Sequence, residues 1–118
     1  MSLQYAEYIW LDGTKPTPLV RSKTRIVNLD DAVSIDSFPE WGFDGSSTNQ
    51  ATGDNSDCLL EPVRFVIDPI RGEGNYLVLC EVNDRHGKAH PSNTRAKLRD
   101  VLENGANAHD AYFGFEQE

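Results

Sequence analysis

The chain has 118 residues, the size of one ordinary domain, with 38% hydrophobic residues, five Phe, four Tyr and two Trp. That supports a modest packed core and excludes a disordered tail. Nineteen acidic against eleven basic residues give a formal charge of −8, which argues against a nucleic-acid partner, because phosphate binding needs clustered Lys and Arg. No stretch nears the ~20 apolar residues of a membrane helix. The opening Met1-Ser2-Leu3-Gln4 lacks the charged and apolar regions of a signal peptide. The expectation is a soluble cytoplasmic protein with no nucleic-acid or membrane partner.

In chain order, residues 4–12 alternate apolar and polar side chains and end at Asp12-Gly13, which predicts a strand closed by a turn. Residues 14–18 form a loop, and residues 19–27 a second strand. Leu19, Arg21, Lys23 and Arg25 share one of its faces, Val20, Ser22, Thr24 and Ile26 the other. Neither face is cleanly apolar, so the strand belongs at a sheet edge or a subunit interface. Residues 29–38 fit a short helix or an irregular turn equally well, and Pro39 to Phe43 a brief strand running into a tight turn. Residues 44–57 contain a single apolar side chain, Ala51. A polar loop of that length, set between aromatic anchors and an apolar strand, points to function.

Residues 58–67 predict a strand interrupted by Pro62, at an edge or a bulge. Turns follow, then the most regular strand, residues 76–83, and a further turn over 84–87. Pro91-Ser92-Asn93-Thr94 opens a helix through Asn104, with Gly105 as its C-cap. Ala96, Leu98, Val101 and Leu102 would form its buried stripe, while the run Arg95 to Arg99 reads as its solvated side. Tyr112 to Glu118 predicts a last strand, with Phe113 and Phe115 on one face and Glu116 and Glu118 on the other. The fold class is α+β, a small mixed or antiparallel sheet followed by one helix.

Glu116 and Glu118 would lie roughly 6.5–7 Å apart at the backbone. Such a pair repels itself unless a cation lies beside it, and Mg2+ and Mn2+ favour carboxylate oxygens. The plainer alternative is a solvated strand face, and two ligands cannot hold a metal alone. Asp44-Gly45-Ser46-Ser47 has the composition of a tight turn. Its functional alternative is a carboxylate, Asp44, projected into a cleft to bind a cation or take up a proton. Residues 53–57 resemble a calcium loop superficially but lack its ligand spacing and closing Glu. His86, His90 and His109 are expected at the surface. Cys58 and Cys80, in apolar runs, read as buried reduced thiols with no zinc or disulfide role.

The segments EYIWLDG, RSKTR, PEWGFDGSSTNQATGDNSDCLLEPV, DPIR, LVLCEV, HPSNTRAKLR and YFGFEQE follow one another in the order and spacing of glutamine synthetase. The chain resembles the eukaryotic-type (type II) enzymes, including their bacterial members, from Glu7 to Glu118. The resemblance implies a β-grasp-like N-terminal domain over 1–88 and the start of a truncated catalytic domain over 89–118, including its first strand. It also implies an ATP-dependent glutamate–ammonia ligase that works through γ-glutamyl phosphate. Mg2+ or Mn2+ would be the cofactor and ATP the co-substrate. The partners implied are glutamate, ammonium and further copies of the subunit in stacked rings. Each active site would lie between one N-terminal domain and a neighbour's catalytic domain.

Within that resemblance Asp44 matches the aspartate that helps bind ammonium and remove its proton, and Ser47 the serine that accompanies it. Trp41 would shape the same loop. Glu116 and Glu118 match the first two metal-binding glutamates, Glu116 also lying beside the ATP phosphates. The family's remaining ligands would lie beyond Glu118, so the expectation is an N-terminal piece, inactive alone. Two further readings are a stand-alone module that binds an intact synthetase ring and an unrelated small acidic cation-binding protein. The strand 19–27 and the helix 91–104, if unpartnered, predict self-association.

Overall fold

A computed structural model describes residues 3–118; Met1 and Ser2 of the opening tetrapeptide lie outside the described residues. Among the described residues five strands form: β1 (Leu3–Leu11), β2 (Val20–Asn28), β3 (Trp41–Asp44), β4 (Asp57–Ile67) and β5 (Tyr76–Asp84). One α-helix, α1 (Thr94–Glu103), follows. The sheet order is β2-β1-β5-β4-β3. The central pair β1–β5 is parallel and the other pairs are antiparallel, so the sheet is mixed. The ambiguous stretch 29–38 is irregular apart from one 3-10 turn, Ile35–Ser37.

Pro62 faces Cys80, and the register slips between Pro62 and Arg64. This is the bulge expected where proline removes a ladder donor. Ala6, Tyr8, Trp10, Leu60, Val78, Cys80 and Val82 build the core, closed from the 29–38 segment by Phe38. Phe38 packs tilted against Phe65 at 5.1 Å and edge-on against Tyr76 at 5.5 Å between ring centres. Cys58 and Cys80 are buried and free. Burial raises both thiols, Cys80 to about 12, which leaves them unreactive at neutral pH.

The strand β2 does lie at an edge, and its mixed faces have a physical reason. Pairing Tyr8 with Lys23 and Ala6 with Arg25 turns both cations toward the core side. The sheet curls until its two edges meet there. Lys23 Nζ lies 3.6 Å from the ring centre of Trp41 on β3 and donates 2.6 Å to the Gly42 carbonyl. The Arg25 guanidinium lies 4.9 Å from the same ring. Inward cations thus cap aromatic faces while their stems cover apolar surface, and they discourage edge-to-edge pairing.

The helix corrects two expectations. Leu98 and Val101 are 56% and 59% exposed, and no residue of α1 is fully buried. Arg95 and Arg99, one turn apart, face the sheet instead and clamp Glu81 of β5 at 2.7 and 2.9 Å. The Arg99 contact is an ion pair without hydrogen-bond alignment, since Glu81 Oε2 has no hydrogen-bond partner. Glu81 is only 1% exposed. An unpaired buried carboxylate costs roughly 3–5 kcal/mol, more than the ~1.5–3 kcal/mol forgone by leaving a leucine in water. The arginine edge therefore wins the sheet.

Residues 110–118 form no strand, and Tyr112, Phe113 and Phe115 are 94%, 78% and 99% exposed. The alternating pattern is present, but a strand also needs a neighbouring edge for its N–H and C=O groups. Among the described residues no strand pairs with this segment.

At the end of β1 the turn is organised by Asp12, which is fully buried. Its carboxylate accepts from the Thr14 and Leu19 backbone N–H groups, the Thr14 hydroxyl and Arg21 Nε, at 2.8–3.0 Å. Burial alone would push this carboxyl up. The hydrogen bonds outweigh it and hold the group well below the usual carboxylate range. A lowered folded-state pKa means stability that is present above the unfolded carboxylate range, near pH ~4, and lost as pH falls through the folded value. Asp12→Asn is expected to lower stability at pH 7 by roughly 1–3 kcal/mol and to flatten the acid limb of the unfolding midpoint below pH ~4. Parallel acid limbs in variant and wild type would refute this role.

Candidate functional site

The polar loop after β3 is ordered by its own short side chains. Asp44 Oδ1 accepts from Ser46 N at 2.9 Å and from Ser46 Oγ at 2.6 Å. It thereby caps a 3-10 turn over Gly45–Thr48, satisfying a donor that would otherwise be orphaned. Ser47 Oγ donates 3.0 Å to the Asp44 carbonyl. Asn49, at φ 59, ends the turn. The Gly45 carbonyl then accepts from Gln50 N and Ala51 N, and Gly45 N donates to Ser56 O at 2.7 Å.

Two neighbours hold the loop from outside. The end of β1 supplies one: Gly13 N donates to Thr48 O at 2.9 Å, and Gln50 Nε2 donates to Leu11 O at 3.3 Å. The connection from β5 to α1 supplies the other, through His90 and Ser92, both bonded to Gln50. His86 is exposed, as expected for all three histidines, and so is His109. His90 departs from that expectation: its ring is half-buried and hydrogen-bonded through both nitrogens.

Asp44 is exposed and lines a surface depression of about 420 Å3 with Phe43, Ser56, Asp57 and Arg85. The hydroxyl and N–H of Ser46, together with Ser56, hold its carboxyl below the ordinary range, against a smaller opposing effect of burial. It is therefore ionised at neutral pH. Asp57 lies directly opposite it on β4, and carboxylates facing across a strand pair favour a cation between or above them. Trp41 provides a rigid base three strand positions earlier, edge-on to Tyr8 at 5.4 Å under the Lys23 amine.

Glu116 and Glu118 are exposed on the irregular tail, and neither lines the Asp44 depression. Their oxygens suit a hard divalent cation, yet among the described residues no three His, Cys, Asp or Glu side chains gather as a metal site. The described residues therefore do not by themselves fit the implied metal. The calcium-like stretch 53–57 gathers no such cluster either.

Residues 2–85 match the family model described as the glutamine synthetase β-grasp domain. The chain belongs to the glutamine synthetase family. It is 56% identical over 113 residues to a glutamine synthetase of Streptomyces viridochromogenes, covering 96% of this chain and 32% of that protein. Against the Frankia alni enzyme the identity is 55% over 118 residues, covering 100% of the chain and 31% of the relative. A chloroplastic glutamine synthetase of Chlamydomonas reinhardtii is 49% identical over 120 residues, covering 96% and 32%. The chain thus spans about a third of the length of these curated relatives.

Family membership overturns the reading as an unrelated cation-binding protein. It agrees with the α+β class and with the curled mixed sheet. No described helix is long and apolar enough to cross a membrane. The β-grasp match ends at residue 85, just past β5, so α1, Glu116 and Glu118 lie outside it. Ser46, Gln50 and His90 also partner the Asp44 loop, beyond the residues that the sequence singles out. Ser46 was open to detection, because an Asp followed two residues later by Ser is a local capping pattern. The Gln50–His90 contact spans forty positions and leaves no local signature.

Proposed function

We propose that this chain supplies the ammonium-binding loop of an ATP-dependent glutamate–ammonia ligase, with Asp44 and Ser47 at that pocket. Glu116 and Glu118 would contribute two carboxylates toward a Mg2+ or Mn2+ site completed by residues outside this chain, with Glu116 near the ATP phosphates. In this reading residues 89–118 begin a second, catalytic unit, and the subunits assemble in rings. The metal, when bound, would offset phosphate charge during transfer from ATP to glutamate.

The observation that carries the proposal is Asp44 itself. It is a carboxylate kept ionised by the turn it caps, at the rim of a depression it shares with Asp57. A lowered pKa suits electrostatic capture of ammonium better than proton uptake, because a weaker base gains less from protonation. Ser47, whose Oγ–H donates to the Asp44 carbonyl, keeps oxygen lone pairs with which to accept from an ammonium N–H.

The test is steady-state kinetics on an enzyme of the relatives' full length that carries this chain. Asp44→Asn is expected to lower kcat/KM for ammonium by about 100-fold, with little change in the KM for ATP. The 118-residue chain alone is expected to form no glutamine. Unchanged kcat/KM for ammonium in the variant would refute the assignment of Asp44.

A further inference from the structure

Three side chains near the loop close into a ring of hydrogen bonds. Gln50 Nε2 donates to Ser92 Oγ at 2.9 Å. Ser92 Oγ lies 2.8 Å from His90 Nδ1, and Ser92 N donates to the same nitrogen at 3.1 Å. His90 Nε2 in turn contacts the Gln50 carbonyl oxygen. A carbonyl only accepts and a backbone N–H only donates. The directions are therefore set: Nδ1 is the acceptor, Nε2 carries the proton, and the serine hydroxyl passes its own proton toward Nδ1. The tautomer follows from the partners.

The ring joins two parts of the chain that lie forty positions apart in sequence. Gln50 stands at the return of the loop, where its N–H bonds Gly45 O and its Oε1 accepts from Thr48 Oγ1 at 2.8 Å. His90 and Ser92 stand where the chain leaves β5. There His90 N donates to Val82 O, and the buried Asn93 caps α1 through Ala96 N while donating to Val82 O at 2.8 Å. One end of the ring is therefore rigid, pinned to the central strand. The other end is the segment that returns directly from the Asp44 turn.

We infer that His90 is a positioning residue. Through Nε2–H on the Gln50 carbonyl it fixes the loop bearing Asp44 and Ser47 against the β5–α1 junction. The two ends of the imidazole do different work: Nε2 holds the loop, and Nδ1 orients the ring on Ser92. A catalytic consequence of this tether rests on the proposed ammonium pocket; the tether itself does not.

The two ends can be separated by substitution. A glutamine amide nitrogen reaches about as far as Nε2, whereas an asparagine reaches only as far as Nδ1. His90→Ala and His90→Asn are expected to speed amide exchange of residues 45–51 by about tenfold, the size of one lost buried hydrogen bond. His90→Gln is expected to restore slow exchange, and the amides of β1 and β5 should stay unchanged in all three variants. Independently of any variant, nitrogen NMR of the wild-type chain should show the Nε2–H tautomer at His90. A merely structural histidine would raise exchange across the whole sheet and would not be rescued by glutamine. That result, or an Nδ1–H tautomer, overturns the inference. Because exchange is read without turnover, failure of the ammonium reading leaves this test intact, and failure here leaves the Asp44 kinetics to be judged separately.

Discussion

Gly13→Ala is expected to destabilise the chain by roughly 2–3 kcal/mol and to displace the Asp44 loop. A Cβ at position 13 would lie 2.1 Å from the Asn49 carbonyl oxygen and 2.8 Å from its carbon. These are backbone atoms, so no rotamer change relieves the overlap; the turn or the loop has to move. The turn is held by the four hydrogen bonds to Asp12. The loop is held by Gln50 on two sides. Whichever yields, the 2.9 Å bond from Gly13 N to Thr48 O is lost. Urea unfolding measures the cost, and amide exchange at Thr48 to Ala51 reports the displacement. Gly53 is the control, since a Cβ there meets nothing within 4 Å, and Gly53→Ala should fall within about 0.5 kcal/mol of wild type. Equal stability of the two alanine variants would show that the loop is not wedged against the turn.

Removing both arginines of α1 should cost more than removing the glutamate they hold. Arg95→Ala with Arg99→Ala leaves Glu81 buried without a counter-charge, a loss of roughly 3–5 kcal/mol. Glu81→Gln leaves two guanidiniums that are 37% and 42% exposed. They can turn to water, so the expected cost is about 1 kcal/mol. The asymmetry arises because desolvation falls on the carboxylate, not on the cations. Both changes should release α1, which has no fully buried side chain to keep it on the sheet. Chemical unfolding of the two variants, with helix amide exchange, decides the matter. A Glu81→Gln variant less stable than the arginine double variant would contradict the clamp. If the helix is released, the chain path toward Glu116 and Glu118 is released with it.

What was legible beforehand divides along the range of the interactions. The strand over 3–11 follows from alternation, those over 57–67 and 76–84 from apolar runs, and the slip at Pro62 from a missing donor. The helix start at Asn93 follows from a cap that acts three residues away, on Ala96 N. The family was legible because its segments keep their order along the chain, and residues 2–85 match it. All of these are properties of neighbours in sequence.

The tertiary structure decided where each charge found its partner. Arg95 and Arg99 look like a solvated helix edge until Glu81, fourteen positions before Arg95, is seen to be buried beneath them. Lys23 looks like a flaw in an edge strand until the sheet curls and brings Trp41 under its amine. His90 looks like one more surface imidazole until the loop returns and offers it the Gln50 carbonyl. The tail failed as a strand for the converse reason: its pattern is local, but pairing needs an edge that the described residues do not bring to it. Periodicity marks which side of an element faces inward. The group waiting there is set by chain segments tens of residues away, so a buried charge and the cation that neutralises it become visible only together.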